Sequence, residues 1–180
     1  MRIHKEHTAA LLIDIQEKLF PHMDRKEELL RNCTTLIKGL KVLDIPLLVT
    51  EQYPKGLGNT IKEIATLVKA EPLLEKIAFS CCDEPSVMQN TAMLNHRNII
   101  ICGIEAHVCV QQTVTDLQES GYTPVVVEDC ISSRSPNDKR IAVERMRAEG
   151  AVITSCESIL FELSRFAGTE QFKAISRLVK

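Results

Sequence analysis

Short apolar runs alternate along the chain with longer segments in which apolar residues recur at helical spacing. Short apolar runs bounded by turn residues are typical of buried strands, and the helical spacing is typical of helices that cover a sheet. The pattern predicts strands at 8–13, 46–50, 74–78 (weak), 98–102, 123–127 and 151–155. Strands that alternate with helices favour a doubly wound α/β fold with a parallel sheet.

The segments between the strands have the periodicity and end signals of helices. The pattern predicts helices at about 26–43, 60–69, 85–94, 109–121, 135–150, 157–166 and 170–178. Ser135, Pro136 and Asp138 together form a typical helix start, with a capping hydroxyl, a proline at the first position and an acid in the first turn. No linker, repeat or low-complexity segment interrupts the pattern, so residues 1–180 are predicted to form one domain.

Composition and charge narrow the class of protein. The chain has 180 residues, of which 44% are hydrophobic and 26% charged, and a net charge of -2. This balance is ordinary for a globular protein and offers no basic footprint for nucleic acid. No apolar run approaches the ~20 residues that span a bilayer. The first residues lead straight into a strand without a visible signal peptide, so a cytoplasmic location is expected.

The seven cysteines fit neither a disulfide framework nor a zinc pattern. Four of them fall in or beside apolar segments and are predicted to be buried as small hydrophobic residues: Cys33, Cys102, Cys130 and Cys156. Cys81 and Cys82 are adjacent, which does not match a Cys-x-x-Cys motif. Reduced thiols are the simple interpretation.

Cys109 occupies a different position from the other cysteines. It follows the strand at 98–102 and a tight turn at 103–108, and it opens the next helical segment. The unpaired N–H groups and the positive end of the dipole at a helix start favour a thiolate, which is the nucleophilic form of cysteine. Cys109 is therefore the candidate nucleophile, and a buried small residue is the alternative.

Two more candidates are expected near this thiol. In a doubly wound sheet, ligands bind beyond the carboxyl ends of the strands, where the strand order reverses. If the order is 3-2-1-4-5-6, then Asp14 after the first strand and Cys109 after the fourth flank that crevice, with Lys76 near the end of the third. The acid could take the thiol proton, the lysine could keep the acid ionised, and N–H groups of the turn could bind an oxyanion. Alternatively, Asp14 is a turn or cap residue and Lys76 a surface lysine.

Cofactor motifs are missing from the sequence. No Gly-x-Gly-x-x-Gly follows the first strand, and there is no Walker-type glycine loop. The five histidines show no metal-ligand spacing. His107 lies two residues before Cys109, but a helix-entry position with its ring toward solvent is expected for it rather than a role as base. No cofactor and no metal are predicted.

Several segments resemble the isochorismatase-like cysteine hydrolases. They are LLIDIQ (11–16), EK (75–76) and CGIEAHVCV (102–110), and the similarity covers nearly the whole chain. The segments TEQYPKGLG (50–58) and CISSRS (130–135) resemble the isochorismatase domain-containing branch, most of whose members have no assigned substrate.

The resemblance implies a three-layer α/β/α, Rossmann-like fold with a six-stranded parallel sheet and helices on both faces. It also implies an Asp-Lys-Cys triad at Asp14, Lys76 and Cys109, and a cis peptide bond between Ile104 and Glu105. The oxyanion would then be held by the backbone amides of Glu105 and Cys109. Relatives commonly form dimers or tetramers, which makes a homo-oligomer the expectation.

One departure from the family narrows the chemistry. Nicotinamidases of this superfamily carry an Asp-x-His metal site after the second strand, where this chain has Glu51, Gln52 and Tyr53. A nicotinamidase-type metal is therefore not expected. Some isochorismatases proper lack the cysteine and cleave a vinyl ether, and the presence of Cys109 argues against that mechanism here.

The hypothesis is a metal-independent hydrolase that cleaves a C–N bond of a small molecule through a thioester at Cys109. Gln52, Tyr53 and Lys55 are the candidates for the pocket wall, because they follow the second strand at the same edge. The alternative is a catalytically silent binding or scaffold protein on the same fold. A redox-sensing thiol is a weaker option that requires a second cysteine within disulfide reach.

Overall fold

The computed structural model describes residues 1–180, and its centre is a six-stranded sheet. The strands are β1 (Thr8–Ile13), β2 (Leu47–Gln52), β3 (Leu73–Lys76), β4 (Asn98–Ile104), β5 (Thr123–Ser132) and β6 (Val152–Thr154). All neighbouring strands are parallel, and their order is β3-β2-β1-β4-β5-β6. The predicted fold class and strand order are confirmed.

Nine α-helices and four single turns connect the strands. The helices are α1 (Lys26–Val42), α2 (Pro54–Leu57), α3 (Lys62–Leu67), α4 (Pro85–Met88), α5 (Thr91–Leu94), α6 (Gln111–Glu119), α7 (Pro136–Ala148), α8 (Cys156–Ser164) and α9 (Glu170–Leu178). Three turns are 3-10 (Lys5–His7, Phe20–His22, Cys81–Asp83), and the turn Ala106–Val110 is π-helical. None of the helices is long and apolar enough to cross a membrane.

Two predicted elements differ from the structure by more than a few residues at one end or by a break. The helix predicted at 85–94 is split, because Asn90 caps the N-terminus of α5 by accepting a hydrogen bond from the Ala92 N–H at 2.9 Å. The strand predicted at 123–127 continues to Ser132. A register shift lies between Ile101 and Gly103, after which Ile131 pairs with Gly103, so the chain passes the polar residues 128 and 129 without leaving the sheet.

Side chains of the central strands alternate between two apolar layers. Along β1, Ala10 and Leu12 pack in the layer that includes residues of α1, α8 and α9. Leu11 and Ile13 pack in the layer that includes residues of α6 and α7. The four cysteines that the sequence assigns to the core are all buried, and all seven are free thiols. Because both faces are covered, the carboxyl edge of the sheet remains for a site.

β1 and β4 are neighbours at the point where the strand order reverses. Ile13, the last residue of β1, pairs with Gly103 in β4 and with Thr50 in β2. Asp14 follows β1, and the turn that carries Cys109 follows β4. Both residues therefore lie at the topological switch point, where open α/β sheets bind ligands.

Gly103 permits the close approach of β4 to β1 beside Asp14. Its φ is +121°, and a Cβ there would overlap the backbone of Ile13. We expect Gly103→Ala to lower the free energy of unfolding by about 3 kcal/mol or more, because it combines backbone strain with a clash against a buried strand. Urea denaturation measures this loss.

Gly121→Ala is the matched control for this variant. Gly121 also has a positive φ, +83°, but a Cβ added there would have no heavy atom within 4 Å. The control should therefore show only the cost of the left-handed conformation, about 1–2 kcal/mol. Equal losses in the two variants would contradict a special requirement for glycine at position 103.

Candidate active site

Asp14 and Lys76 form a fully buried ion pair at the carboxyl ends of β1 and β3. Nζ of Lys76 lies 2.7 Å from Oδ2 of Asp14, and neither side chain is exposed. Asp14 adopts a left-handed conformation with φ of +53°, which is uncommon for residues other than glycine and is often found at functional sites. Lys76 is therefore not a surface lysine, and Asp14 does not cap a helix.

The two carboxylate oxygens of Asp14 have different surroundings. Oδ1 accepts a hydrogen bond from the Thr50 hydroxyl at 2.7 Å, and the Asp14 N–H donates to the Thr50 carbonyl at 3.2 Å. Oδ2 lies next to the Lys76 ammonium but accepts no well-directed hydrogen bond from the protein. A buried carboxylate oxygen in this state is able to accept a proton from a neighbouring group.

The ammonium of Lys76 explains why Oδ2 has no directed donor. It donates to Oε1 of Gln52 at 2.7 Å and to the carbonyls of Ala78 and Phe79 at 3.2 and 3.1 Å. These three acceptors match the three N–H bonds of the ammonium, so its attraction to Asp14 is chiefly one of charge. Burial alone would lower the pKa of Lys76, but the negative charges around it, above all Asp14, more than offset burial and raise that pKa. Lys76 is therefore a cation at neutral pH.

Cys109 lies in the π-helical turn that connects β4 to α6. The N–H groups of Val108 and Val110 both donate to the Glu105 carbonyl, at 3.1 and 3.2 Å, and this widens the turn around the cysteine. Cys109 is 5% exposed, and its thiol lies close enough to Asp14 for the charge of that residue to act on its pKa. π-turns are rare and frequently mark functional sites.

The expectation of a low-pKa thiol at position 109 is wrong for the resting protein. Burial raises the pKa of Cys109 to about 12, and the charge of Asp14 adds to the rise while Lys76 opposes it. Cys109 is also not the first residue of α6, which begins at Gln111. The thiol therefore keeps its proton at neutral pH, and a nucleophile forms only when a base accepts that proton.

The peptide bond between Ile104 and Glu105 is cis. The N–H of Glu105 donates to no other group of the protein. The Glu105 carboxylate points away along the turn, where it accepts hydrogen bonds from Nε of Arg134 at 3.0 Å and from the Arg134 N–H at 3.3 Å. The backbone before Cys109 thus presents a free donor at the switch point.

Gln52, Tyr53 and Lys55, the candidates for the pocket wall, differ in exposure and in contacts. The amide of Gln52 is 7% exposed and bonded at both ends, to Lys76 and, through Nε2, to the Ile77 carbonyl at 2.6 Å. The ring of Tyr53 packs over Gly56, and Lys55 is exposed. Gln52 therefore supports Lys76, and a pocket wall of Gln52, Tyr53 and Lys55 stays a prediction.

His107 is also placed differently from the expectation. Its ring is half-buried, and Nδ1 lies 2.9 Å from the hydroxyl of the buried Ser133. This contact attaches the π-turn to the residue that follows β5. The ring therefore does not point freely into solvent.

Two residues near Asp14, Cys81 and Thr50, were not predicted from the sequence. Cys81 is fully buried, with Sγ 4.0 Å from the Thr50 hydroxyl, and burial raises its pKa to about 11. Thr50 itself hydrogen-bonds Asp14. The available signals were the hydroxyl at the end of the predicted second strand and a cysteine five residues after Lys76.

The main clefts of the chain lie away from these residues. A cleft of about 440 Å³ lies beyond the ends of β5 and β6 and is lined by side chains of both charges, such as Asp24, Arg25 and Arg147. None of the five main clefts is lined by Asp14, Lys76 or Cys109. We place the candidate site by its chemistry rather than by cleft size, because the only buried acid–lysine–thiol arrangement is at the switch point. No three His, Cys, Asp or Glu side chains are arranged to hold a metal ion.

A doubly wound parallel sheet with a buried acid, a lysine and a thiol at its switch point defines an α/β protein with a candidate active site at the carboxyl edge of the sheet. Residues 8–158 match the family described as the Isochorismatase domain. The chain belongs to the isochorismatase family, and it is most similar to the branch of isochorismatase domain-containing proteins.

Similar proteins come from several eukaryotes. The secreted isochorismatase effector Isc1 of Phytophthora sojae is 37% identical over 97% of this chain and 85% of its own length. Isochorismatase domain-containing protein 2 of Danio rerio is 35% identical over 99% of this chain and 89% of its own length. The solved structure named MAR1 ribonuclease, from Caenorhabditis elegans, is 36% identical, with a TM-score of 0.93 over 99% of this chain and 92% of that one.

Proposed function

We propose that this protein is a cysteine hydrolase that cleaves a C–N bond of a small amide or related acyl compound. The observation that carries the proposal is the buried Asp14–Lys76 pair, in which Oδ2 of Asp14 lacks a directed donor and the charge of Asp14 acts on the thiol of Cys109. Family membership supports a hydrolase. The bond, the mechanism and the triad are our proposal.

The first step is transfer of the Cys109 proton to Asp14. With a pKa of about 12, a thiol without a base would be ionised only to about one part in 10⁵ at pH 7. Asp14 accepts the proton as the sulfur attacks the carbonyl carbon, so thiolate does not have to accumulate. Lys76 stays charged throughout and stabilises whichever of the two partners is negative.

The second step is collapse of the tetrahedral intermediate. The N–H groups of Glu105 and Cys109 hold the oxyanion, and the free N–H of Glu105 supports this assignment. Asp14 returns the proton to the leaving amine, which departs and leaves a thioester on Cys109. Asp14 then takes a proton from water, which attacks the thioester and releases the acid and the free thiol.

The low exposure of Cys109 favours a small substrate. Only 5% of the residue is exposed, and the surrounding side chains are already bonded to one another. A compact acyl group reaches such a sulfur more readily than a polymer does. The mechanism uses only groups of the chain and invokes no cofactor.

The names of two relatives suggest other substrates. The C. elegans relative is named a ribonuclease, and the P. sojae relative is named an isochorismatase effector. RNA cleavage is a second candidate on that ground, but the net charge of -2 and the buried Asp14 disfavour a polyanion next to Cys109. A catalytically silent binding protein remains the alternative outcome of the test.

A substrate panel tests the proposal. It contains small primary amides, carbamoyl compounds, isochorismate and a short RNA, each incubated with wild-type protein, and mass spectrometry follows both the products and the mass of the protein. Hydrolysis of an amide with a transient acyl adduct on Cys109 supports the proposal. RNA or isochorismate cleavage alone, without an adduct, would replace it, and no turnover of any compound would favour the silent protein.

Assembly and location belong to the same proposal. We propose a homo-oligomer, dimer or tetramer, in the cytoplasm, on the basis of the family resemblance. A structural neighbour, the YcaC gene product of Escherichia coli, is named an octameric hydrolase, and the P. sojae relative is named as secreted. Light scattering of the purified protein measures the oligomeric state.

A further inference from the structure

Gln52 occupies an unusual position for a buried amide, because both of its ends serve the candidate site. Oε1 accepts from Nζ of Lys76 at 2.7 Å, and Nε2 donates to the Ile77 carbonyl at 2.6 Å. An ammonium only donates and a carbonyl only accepts, so these two partners fix the orientation of the amide. One N–H of Lys76 is thereby directed away from Asp14.

The backbone of Gln52 is held just as firmly. Gln16 is fully buried, and its Oε1 accepts from the Gln52 N–H at 2.7 Å while its Nε2 donates to the Gln52 carbonyl at 3.0 Å. The Gln16 N–H in turn donates to the Asp14 carbonyl at 2.8 Å. A closed circuit therefore runs from Asp14 through Gln16 and Gln52 to Lys76 and back to Asp14.

We propose that Gln52 is a positioning residue that holds the Lys76 ammonium so that Oδ2 of Asp14 stays free to accept the proton of Cys109. The inference rests on the proposed function, because it concerns the same base and the same thiol. Without the Gln52 acceptor, one N–H of Lys76 is released, and Oδ2 at 2.7 Å is the nearest oxygen that lacks a directed donor.

If the released N–H of Lys76 turns toward Oδ2, it changes the strength of Asp14 as a base. A hydrogen bond donated to a carboxylate favours its charged form, so Asp14 becomes a weaker base while it keeps its charge. The other ionisable groups that act on this pair are Lys76, Cys81 and Cys109 themselves, and the substitution changes none of them. Asp14 then holds the proton of the thiol less firmly while Lys76 stays beside it, so the pKa of Cys109 should fall below about 12 although Asp14 is a poorer base for hydrolysis.

Alkylation of Cys109 by iodoacetamide tests the inference without knowledge of the substrate. The rate is followed between pH 5 and 10 by mass spectrometry of the peptide that contains Cys109. For Gln52→Met we expect the rate at pH 7 to rise about tenfold, which corresponds to a decrease of about one unit in the pKa of the thiol. A merely structural role of Gln52 would change the melting temperature but not this rate.

Two comparisons make the outcome interpretable. Gln118→Met is the matched control, because Nε2 of Gln118 also donates to a backbone carbonyl, that of Glu149 at 3.0 Å, far from the site. Gln52→Asn shortens the side chain by one methylene and replaces Gln52→Met if the latter does not fold. An unchanged rate at Cys109 in a folded Gln52 variant, or an equal increase in Gln118→Met, would overturn the inference.

The alkylation rates of Cys82 and of Cys109 in Asp14→Asn distinguish failure of the positioning role from failure of the proposed function. Burial raises the pKa of Cys82 to about 12 as well, but Asp14 and Lys76 are not among the groups that act on it. The alkylation rate of Cys82 should therefore be the same in Gln52→Met as in the wild type. Faster alkylation of Cys109 in Asp14→Asn but not in Gln52→Met would contradict only the positioning role, whereas no change in either variant would contradict Asp14 as the partner of the thiol and with it the proposed function.

Discussion

Replacing Cys109 by alanine is expected to lower hydrolysis of the amide substrate by about 10³-fold or more, because the nucleophile is lost and Cys81, the other thiol near Asp14, is fully buried. The fold should survive. The side chain is small, and its loss from a buried position costs about 1 kcal/mol of unfolding free energy. Steady-state rates, the absence of an acyl adduct and an almost unchanged melting temperature together measure the effect.

Cys82→Ala is the control for this variant. Cys82 is half-buried in the turn Cys81–Asp83, and removing its thiol makes a similar change in volume without touching Asp14 or Lys76. It should keep turnover within about twofold of the wild type, as is typical of a substitution outside a catalytic unit. Full activity in Cys109→Ala would refute covalent catalysis at this residue, and equal losses in both variants would point to general damage.

The fold could be predicted from periodicity because a two-sided parallel sheet leaves a strong pattern. Both faces are covered, so its strands are almost continuously apolar and are easily separated from amphipathic helices. The strand that was predicted too short shows the limit of this reasoning. Polar residues at 128 and 129 imitate the end of a strand, whereas pairing of Ile131 with Gly103 carries β5 onward. Pairing between distant strands is not visible in local composition.

The candidate site was predictable in its positions but not in its electrostatics. Topology alone indicates that Asp14, Lys76 and Cys109 follow strands that end at the same edge. The pKa of Cys109 depends on how completely the thiol is buried and on the charge of Asp14 beside it, and these are results of packing. The contacts of Thr50 and Gln52 likewise join segments far apart in sequence, so no motif indicates them.

Removing the charge of Asp14 should lower turnover but also lower the pKa of Cys109. In Asp14→Asn the base is lost, so turnover should fall by about 10³-fold or more. The thiol, however, loses a neighbouring negative charge that raises its pKa, while Lys76, which lowers it, remains. The pKa of Cys109 should therefore fall below about 12 and the thiolate should become the partner of Lys76. Each unit of that decrease gives tenfold more thiolate at a pH below the pKa.

Iodoacetamide labelling shows whether the two effects diverge as this argument requires. In Asp14→Asn, alkylation of Cys109 at pH 7 should be about tenfold faster or more, and the midpoint of its rate–pH curve should move to lower pH. Asp116→Asn is the matched control, because Asp116 raises the pKa of Cys82 but does not act on Cys109. Slower alkylation of Cys109 in a folded Asp14→Asn protein would contradict the claim that Asp14 raises the pKa of this thiol. Retained turnover in that variant would remove Asp14 from the mechanism, since a neutral amide cannot accept the proton that the nucleophile must lose.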